Sequence, residues 1–261
     1  HPRVRRQRQM CIRDRICFAY KGTNYSGFQK QPNKATIQSV LEESLSHVLK
    51  EDIKITASGR TDAKVHALKQ YANFYCENSI NVNKIPFAVN SFLPLDIRVF
   101  TAKEINENFN ARKSAKTKTY MYVFCKDKII NPLYYDMIAP LKYEVNLNII
   151  KQCVKLICGT HNFKAFCSSS ASSTNFIRTI YEFNVEEKDK YLIFKITGNG
   201  FLYNMVRIIV GTIIDISRGK LDISCIEKMF ETGNRQYGGQ TARACGLYSV
   251  SYTHLRAHET R

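Results

Sequence analysis

Two hydrophobic periodicities alternate along this chain, and their order is the strongest constraint on its fold. Residues 16–20 form a short apolar run that ends in a glycine-bracketed loop at 21–27. Thr36 then stands where a helix N-cap belongs, and Ile37, Val40, Leu41, Leu45, Val48 and Leu49 recur at helical spacing up to about Lys50, with His47 off the stripe and facing solvent. Residues 53–56 alternate apolar and polar side chains as a half-buried strand does, and 66–76 is a second strand-like run. A short helix over 81–92 and a strand over 97–103 follow. The sequence strand, helix, strand, loop, strand, helix, strand predicts an open α/β or ferredoxin-like sheet with helices on one face.

The second half continues in the same style. Residues 117–124 alternate so that Tyr120 and Tyr122 share a face, 148–157 carries a helical stripe, and 177–185 with 191–197 can pair as a hairpin. Leu202, Met205, Val206, Ile209, Val210 and Ile213 mark a helix with Arg207 at the edge of its apolar face. A helix over 223–230 and a strand over 246–250 complete the pattern, and the Ser/Ala-rich run at 168–174 reads as a surface loop.

At 261 residues the chain can hold two domains of common size, and no apolar run approaches the roughly 20 residues that span a bilayer. Nine cysteines without a CxxC pair, and no legible secretory signal, fit reduced thiols in a cytoplasm. The formal charge of +17 suggests a polyanionic partner, and +11 of it lies within 16–250. Residues 1–15 and 251–261 look foreign, like translated adaptor sequence, and are set aside as non-native tails. This also sets aside His254 and His258, whose i, i+4 spacing lacks companion metal ligands. The remaining organisation is an N-terminal α/β half at 16–105 and a C-terminal α/β half at 106–250.

Chemistry concentrates in Ser58-Gly59-Arg60-Thr61-Asp62-Ala63-Lys64-Val65-His66-Ala67, a loop between two strands. Gly59 can take a positive φ there, and Arg60 can favour the charged form of Asp62 and orient it. Taken alone, Arg-x-Asp in a polar turn is an ordinary surface ion pair. Tyr120 alone is ordinary sheet packing, and Arg207 alone is a snorkelling arginine.

The full string Gly-Arg-Thr-Asp-Ala-x-Val-His-Ala resembles the signature loop of the TruA family of tRNA pseudouridine synthases. Further matches are the strand and glycine loop before Phe28-Gln29, the Lys-x-Tyr run at Lys118 to Tyr120, Phe201-Leu202-x-x-Met205-Val206-Arg207, and Gly246-Leu247-Tyr248. The resemblance covers about residues 16–250. It implies a homodimer whose two ferredoxin-like (RRM-like) α/β halves share a central, mostly antiparallel sheet around an RNA-binding cleft. It implies isomerisation of uridine to pseudouridine at about positions 38–40 of the tRNA anticodon stem-loop, without cofactor or metal. By residue match, Asp62 is the nucleophile, Arg207 its partner with Arg60, and Tyr120 and Leu247 hold the target base. Gln29 lies near the RNA, and Arg112, Lys116, Lys118 and Arg178 supply phosphate contacts; Lys64, where the family has glycine, either adds another such contact or shifts the backbone of the Asp62 loop.

Two departures stand out: Lys64 replaces a customary glycine, and Ala242-Arg243-Ala244-Cys245 replaces a Pro-Pro turn. They keep open a second reading, a non-catalytic RNA-binding protein on the same fold. A hydrolase using Asp62 with His66 is a third, weakened by the lack of a second carboxylate nearby.

Overall fold

The computed structural model describes residues 12–77, 80–106, 108–168 and 174–254. In the N-terminal half, β1 (Ile12–Tyr20) leads to α1 (Ile37–Leu49), then β2 (Thr56–Ala57), β3 (His66–Cys76), α2 (Ile85–Asn90) and β4 (Ile97–Glu104). The C-terminal half contributes β5 (Ala115–Cys125), β6 (Ala139–Pro140), α3 (Leu147–Ile157), β7 (Gly159–Asn162), β8 (Ile177–Lys188), β9 (Tyr191–Gly198), α4 (Met205–Ser217), α5 (Cys225–Thr232) and β10 (Leu247–His254). The foreign-looking tails at 1–11 and 255–261, including His258, and the centre of the Ser/Ala-rich run at 169–173 lie outside the described residues. The sheet reaches into both segments set aside above, since β1 starts at Ile12 and β10 runs to His254.

All ten strands join one sheet in the order β4-β1-β3-β10-β5-β9-β8-β7, with β2 on β3 and β6 on β5. Most neighbours are antiparallel, and β8 and β9 pair through a short connection. The seam between halves differs. There the last strand, β10, runs parallel to β3 at Tyr248 opposite His66 and Ser249 opposite Ala67, while pairing antiparallel with β5 on its other side. A C-terminal strand thus bridges the two halves.

Each half keeps its own core. Phe18, Phe74, Leu41 and Leu45 anchor the N-terminal one, and α1 is held at its start by a capping box between Thr36 and Ser39, a motif whose N-cap is worth about 1 kcal/mol. His47 is exposed, with its ring against Phe92. The C-terminal core gathers Tyr120, Tyr122 and Phe124 from one face of β5, while Val123 and Cys125 on the other face join Ile138 and Tyr248. Helix α4 is buried nearly all round, with Ile208 and Ile214 covered as well as the expected stripe. It is therefore a central helix, and the one-sided stripe understated its burial.

Two elements are shorter than their periodicity suggests. Ile53 and Ile55 are buried and Lys54 is exposed, as alternation requires, yet only Thr56 and Ala57 pair with β3. Residues 81–92 divide into a 3-10 turn and the six-residue α2, which has Pro86 in its first turn.

Candidate active site

The loop between β2 and β3 is tied down from both sides. The Ser58 amide donates to Tyr71 O at 2.8 Å, and Gln70 Nε2 donates to Gly59 O at 2.7 Å. Tyr20 OH bonds Thr61 Oγ1 at 2.7 Å and donates to Gln70 Oε1 at 2.9 Å, while the Phe28 amide donates to Thr61 O at 3.0 Å. These buried polar groups are satisfied by one another, so the loop holds one course. Gly59 is needed for a close approach: a Cβ there would lie 2.3 Å from the Tyr252 hydroxyl. The positive φ expected of Gly59 falls instead on Lys64, at +64°, the third residue of the turn closed by Val65 N donating to Asp62 O at 3.2 Å. A type II turn puts its left-handed residue at that position. Lysine here retains the backbone that glycine would adopt, and its side chain is exposed outside the cleft lining.

Asp62 is about three-quarters buried in a cleft of about 840 Å³ between the halves. Its Oδ2 lies 3.7 Å from Arg207 Nη1. Burial pushes the Asp62 carboxyl above its ordinary range, and Arg207 opposes that rise only in part. Arg207 favours the charged carboxylate, as expected of it, but desolvation is the larger effect.

Arg207 is itself fixed. Its Nε donates to Ala242 O at 2.8 Å, and its Nη1 donates to Asn204 Oδ1 at 2.6 Å. Asn204, in left-handed geometry just before α4, donates through Nδ2 to Ser168 Oγ at 2.9 Å. Ala242 is fixed in turn by its own amide donating to Arg207 O at 3.1 Å, by Gly239 N donating to Thr212 Oγ1 and by Gln240 N donating to Asp215 Oδ2, both at 3.0 Å. The turn that lacks the customary prolines is therefore pinned to α4 by hydrogen bonds. Gly211 allows this contact, since a Cβ there would meet Gln240 O at 1.8 Å.

Arg60 does not share the grip on Asp62. Among the described residues the ion pair of Asp62 is with Arg207, while Arg60 is exposed on the cleft wall with Arg112 as its neighbouring charge. The physical reason is geometric: Asp62 turns inward beneath the end of α4, and Arg60 stays at the rim. Burial and Arg112 both lower its pKa.

Gln29, Arg112, Lys118, Tyr120, Arg178 and Leu247 line the same cleft. Tyr120 is buried, edge-on to Phe201 at 5.1 Å and hydrogen-bonded to Tyr252; burial raises its pKa well above the usual phenol value, so it stays protonated. Lys118, two residues earlier on β5, is pushed down to about 8 by burial and by Arg112 and Arg178. Arg178 is held by Nη1 donating to Ile177 O at 2.6 Å and Asn175 O at 3.2 Å.

His66 is elsewhere. It is 2% exposed, its Nδ1 accepts from the Gly22 amide at 3.1 Å, its Nε2 faces Asp136 O at 3.2 Å, and its ring stacks on Tyr248 at 5.0 Å. Both ring nitrogens are used in holding the fold, and burial lowers its pKa. Among the described residues no three His, Cys, Asp or Glu side chains gather as metal ligands, and no helix is long and apolar enough to cross a membrane.

Sequence reasoning assigns no role to Asn204, and it places Phe201 in a matched motif and Ala242 in a departing turn without predicting that they border Tyr120 and Arg207. Their roles depend on the approach of the 239–242 turn to α4, and only Gly211, four residues after Arg207, hinted at such a contact.

A family model described as tRNA pseudouridine synthase matches residues 16–112 and 153–253. The tRNA pseudouridine synthase A of Thermoanaerobacter sp. (strain X514) is 39% identical over 235 residues, covering 90% of this chain and 96% of that protein. That of Anoxybacillus flavithermus is 41% identical over 244 residues, covering 92% and 98%. Among solved structures, a Cbf5-Nop10-Gar1 complex aligns with 90% of this chain and 57% of that chain at a TM-score of 0.38 and 12% identity. By the family model and these near full-length relatives, the chain belongs to the tRNA pseudouridine synthase family.

Proposed function

We propose that this protein isomerises uridine to pseudouridine at about positions 38–40 of the tRNA anticodon stem-loop. The observation that carries this reading is a desolvated carboxylate, Asp62, held by the fixed guanidinium of Arg207 in a cleft whose other charged walls are cationic. In the reaction the N1–C1′ bond breaks and a C5–C1′ bond forms; C5 loses a proton and N1 gains one, so the product is an isomer. No redox change accompanies these steps, and no cofactor enters the proposal.

Asp62 is the nucleophile that attacks carbon of the extruded nucleotide. Desolvation makes its oxygen less well satisfied before attack, and Arg207 keeps one oxygen oriented while the other is free to react. Tyr120, neutral and rigid, and Leu247 at the start of β10 hold the base between them. Gln29 lies beside the RNA. Arg112 and Arg178 bind backbone phosphate with Arg60 at the rim, and Lys64 reaches RNA outside the cleft. Such contacts make affinity fall steeply with salt. We extend the proposal to a cytoplasmic homodimer, as the resemblance implies. Exposed Ile129, Leu133 and Tyr135 in one surface segment supply apolar area for such an interface.

The test is to incubate unmodified tRNA transcripts carrying uridine at 38, 39 or 40 with the protein and map pseudouridine by position. Pseudouridine confined to those positions supports the proposal. Tight tRNA binding with no pseudouridine at any position would establish the non-catalytic RNA-binding reading in its place.

A further inference from the structure

The cleft that holds Asp62 carries an excess of positive charge that the fold itself does not neutralise. Arg60, Arg112, Lys118 and Arg178 all face the cleft, and among the described residues none of them forms an ion pair with a carboxylate. Asp62, the acid in the same cleft, is engaged by Arg207. Lys118 is in the middle of this group. Facing it are Arg112 from the turn before β5, Arg178 at the start of β8, and the ring of Tyr252 on β10 at 5.8 Å from Nζ. Gly198 lies opposite on β9, and Tyr120 follows two positions later on its own strand. Four cations gathered without a counter-charge repel one another, and the natural remedy is an anion supplied by the ligand.

We propose that Lys118, ringed by Arg112 and Arg178, is the seat of a backbone phosphate of the bound RNA, and that RNA binding loads a proton onto its amine. The inference rests on the proposed function for the identity of the RNA. The geometry suits the phosphate next to the extruded base: residues i and i+2 of a strand share a face about 7 Å apart, so an anion on Lys118 lies one such step from the ring of Tyr120. Arg178 is braced by two backbone carbonyls and so presents the rest of its guanidinium to the cleft.

Guanidinium groups keep their charge at any working pH, whereas an amine crowded by two of them does not. With its pKa pushed down to about 8, Lys118 is about half neutral at pH 8 in the free protein. A phosphate beside it favours the ammonium form and returns it toward the ordinary lysine range near 10.4. Binding then takes up about half a proton per cleft at pH 8 and about a tenth of a proton at pH 7. By the same linkage, affinity weakens about tenfold between pH 7 and pH 9 through this one residue.

The experiment is calorimetric titration of an unmodified tRNA transcript into the protein carrying Asp62→Asn to prevent turnover. It is run at pH 7, 8 and 9 in buffers of different ionisation enthalpy, with and without Lys118→Arg or Lys118→Met. The proposal expects a proton uptake near one half at pH 8 that Lys118→Arg abolishes while retaining tight binding, and that Lys118→Met abolishes with weaker binding at every pH. Tight binding whose proton uptake and pH slope are the same with lysine or arginine at 118 would overturn it and leave the synthase reading intact. No binding of tRNA by any form, including the protein with native Asp62, would overturn both.

Discussion

Replacing Arg207 by methionine removes the charge that faces Asp62 while keeping a long apolar stem beside α4. At 3.7 Å, two unit charges in an effective dielectric of about 20 attract by about 4.5 kcal/mol. The Arg207 and Asp62 side chains are 17% and 24% exposed, so solvent screening brings the net value of the contact to about 2 kcal/mol. If that interaction is expressed in the transition state, turnover falls about 30-fold. The acid limb of the rate profile must also move. Burial already holds the Asp62 carboxyl above its ordinary range, and losing the cation that opposes this effect raises it further. Because the reacting form is the carboxylate, activity is lost as pH falls through that value, so the limb shifts to higher pH. Arg207→Lys keeps a charge but loses the fork that bonds Ala242 O and Asn204 Oδ1, so it loses turnover with little movement of the limb. Tritium release from C5-labelled uridine in tRNA between pH 5 and pH 9, with thermal melts to verify folding, measures both effects. Methionine at 207 with turnover within threefold of the parent and an unmoved acid limb would refute the reasoning.

Three further outcomes follow from the same geometry. Lys64→Gly relieves a left-handed lysine and raises stability by about 1 kcal/mol in denaturant unfolding, with tRNA affinity reduced if the Lys64 ammonium contacts RNA. Gly211→Ala drives a methyl into Gln240 O; it destabilises by about 1–3 kcal/mol and displaces Ala242 from Arg207, so single-turnover rates fall even where the protein remains folded. Asp62→Asn raises the melting temperature at neutral pH. A carboxyl whose folded pKa is raised contributes stability that is fully present below its unfolded value and is lost as pH rises through its folded value, so the gain over the parent disappears in acid. Equal melting temperatures of parent and Asp62→Asn at pH 7 would contradict the desolvation of Asp62.

Local signals carried much of this fold and failed where distant segments meet. The Thr36 cap, the stripe of α1 and the alternation through Tyr120 and Tyr122 are short-range patterns, and each corresponds to an element with the expected burial. The Asp62–Arg207 contact was reached through motif resemblance, because no periodicity joins positions 145 residues apart. The Arg60–Asp62 pair suggested by adjacency does not form, since the turn at 62–65 carries the carboxylate inward and leaves Arg60 at the rim. Likewise Gly59 reads as a site of backbone freedom, whereas its requirement is the Tyr252 hydroxyl beside it, and Tyr252 belongs to a segment set aside for its likeness to adaptor sequence. The parallel pairing of β10 with β3, which brings Leu247 to the cleft, is equally non-local. His66 shows the opposite error: a histidine four residues from a carboxylate invites acid–base chemistry, but both its nitrogens are occupied by the backbone of other loops.

The account stands on the carboxylate of residue 62 being the group that reacts. Its most direct measurement is tritium release from C5-labelled tRNA by the parent and by Asp62→Ala, with tRNA affinity measured on the same preparations. The account predicts release by the parent, none above background by the variant, and affinities within a few-fold of each other. Release by Asp62→Ala at a rate comparable to the parent would contradict it.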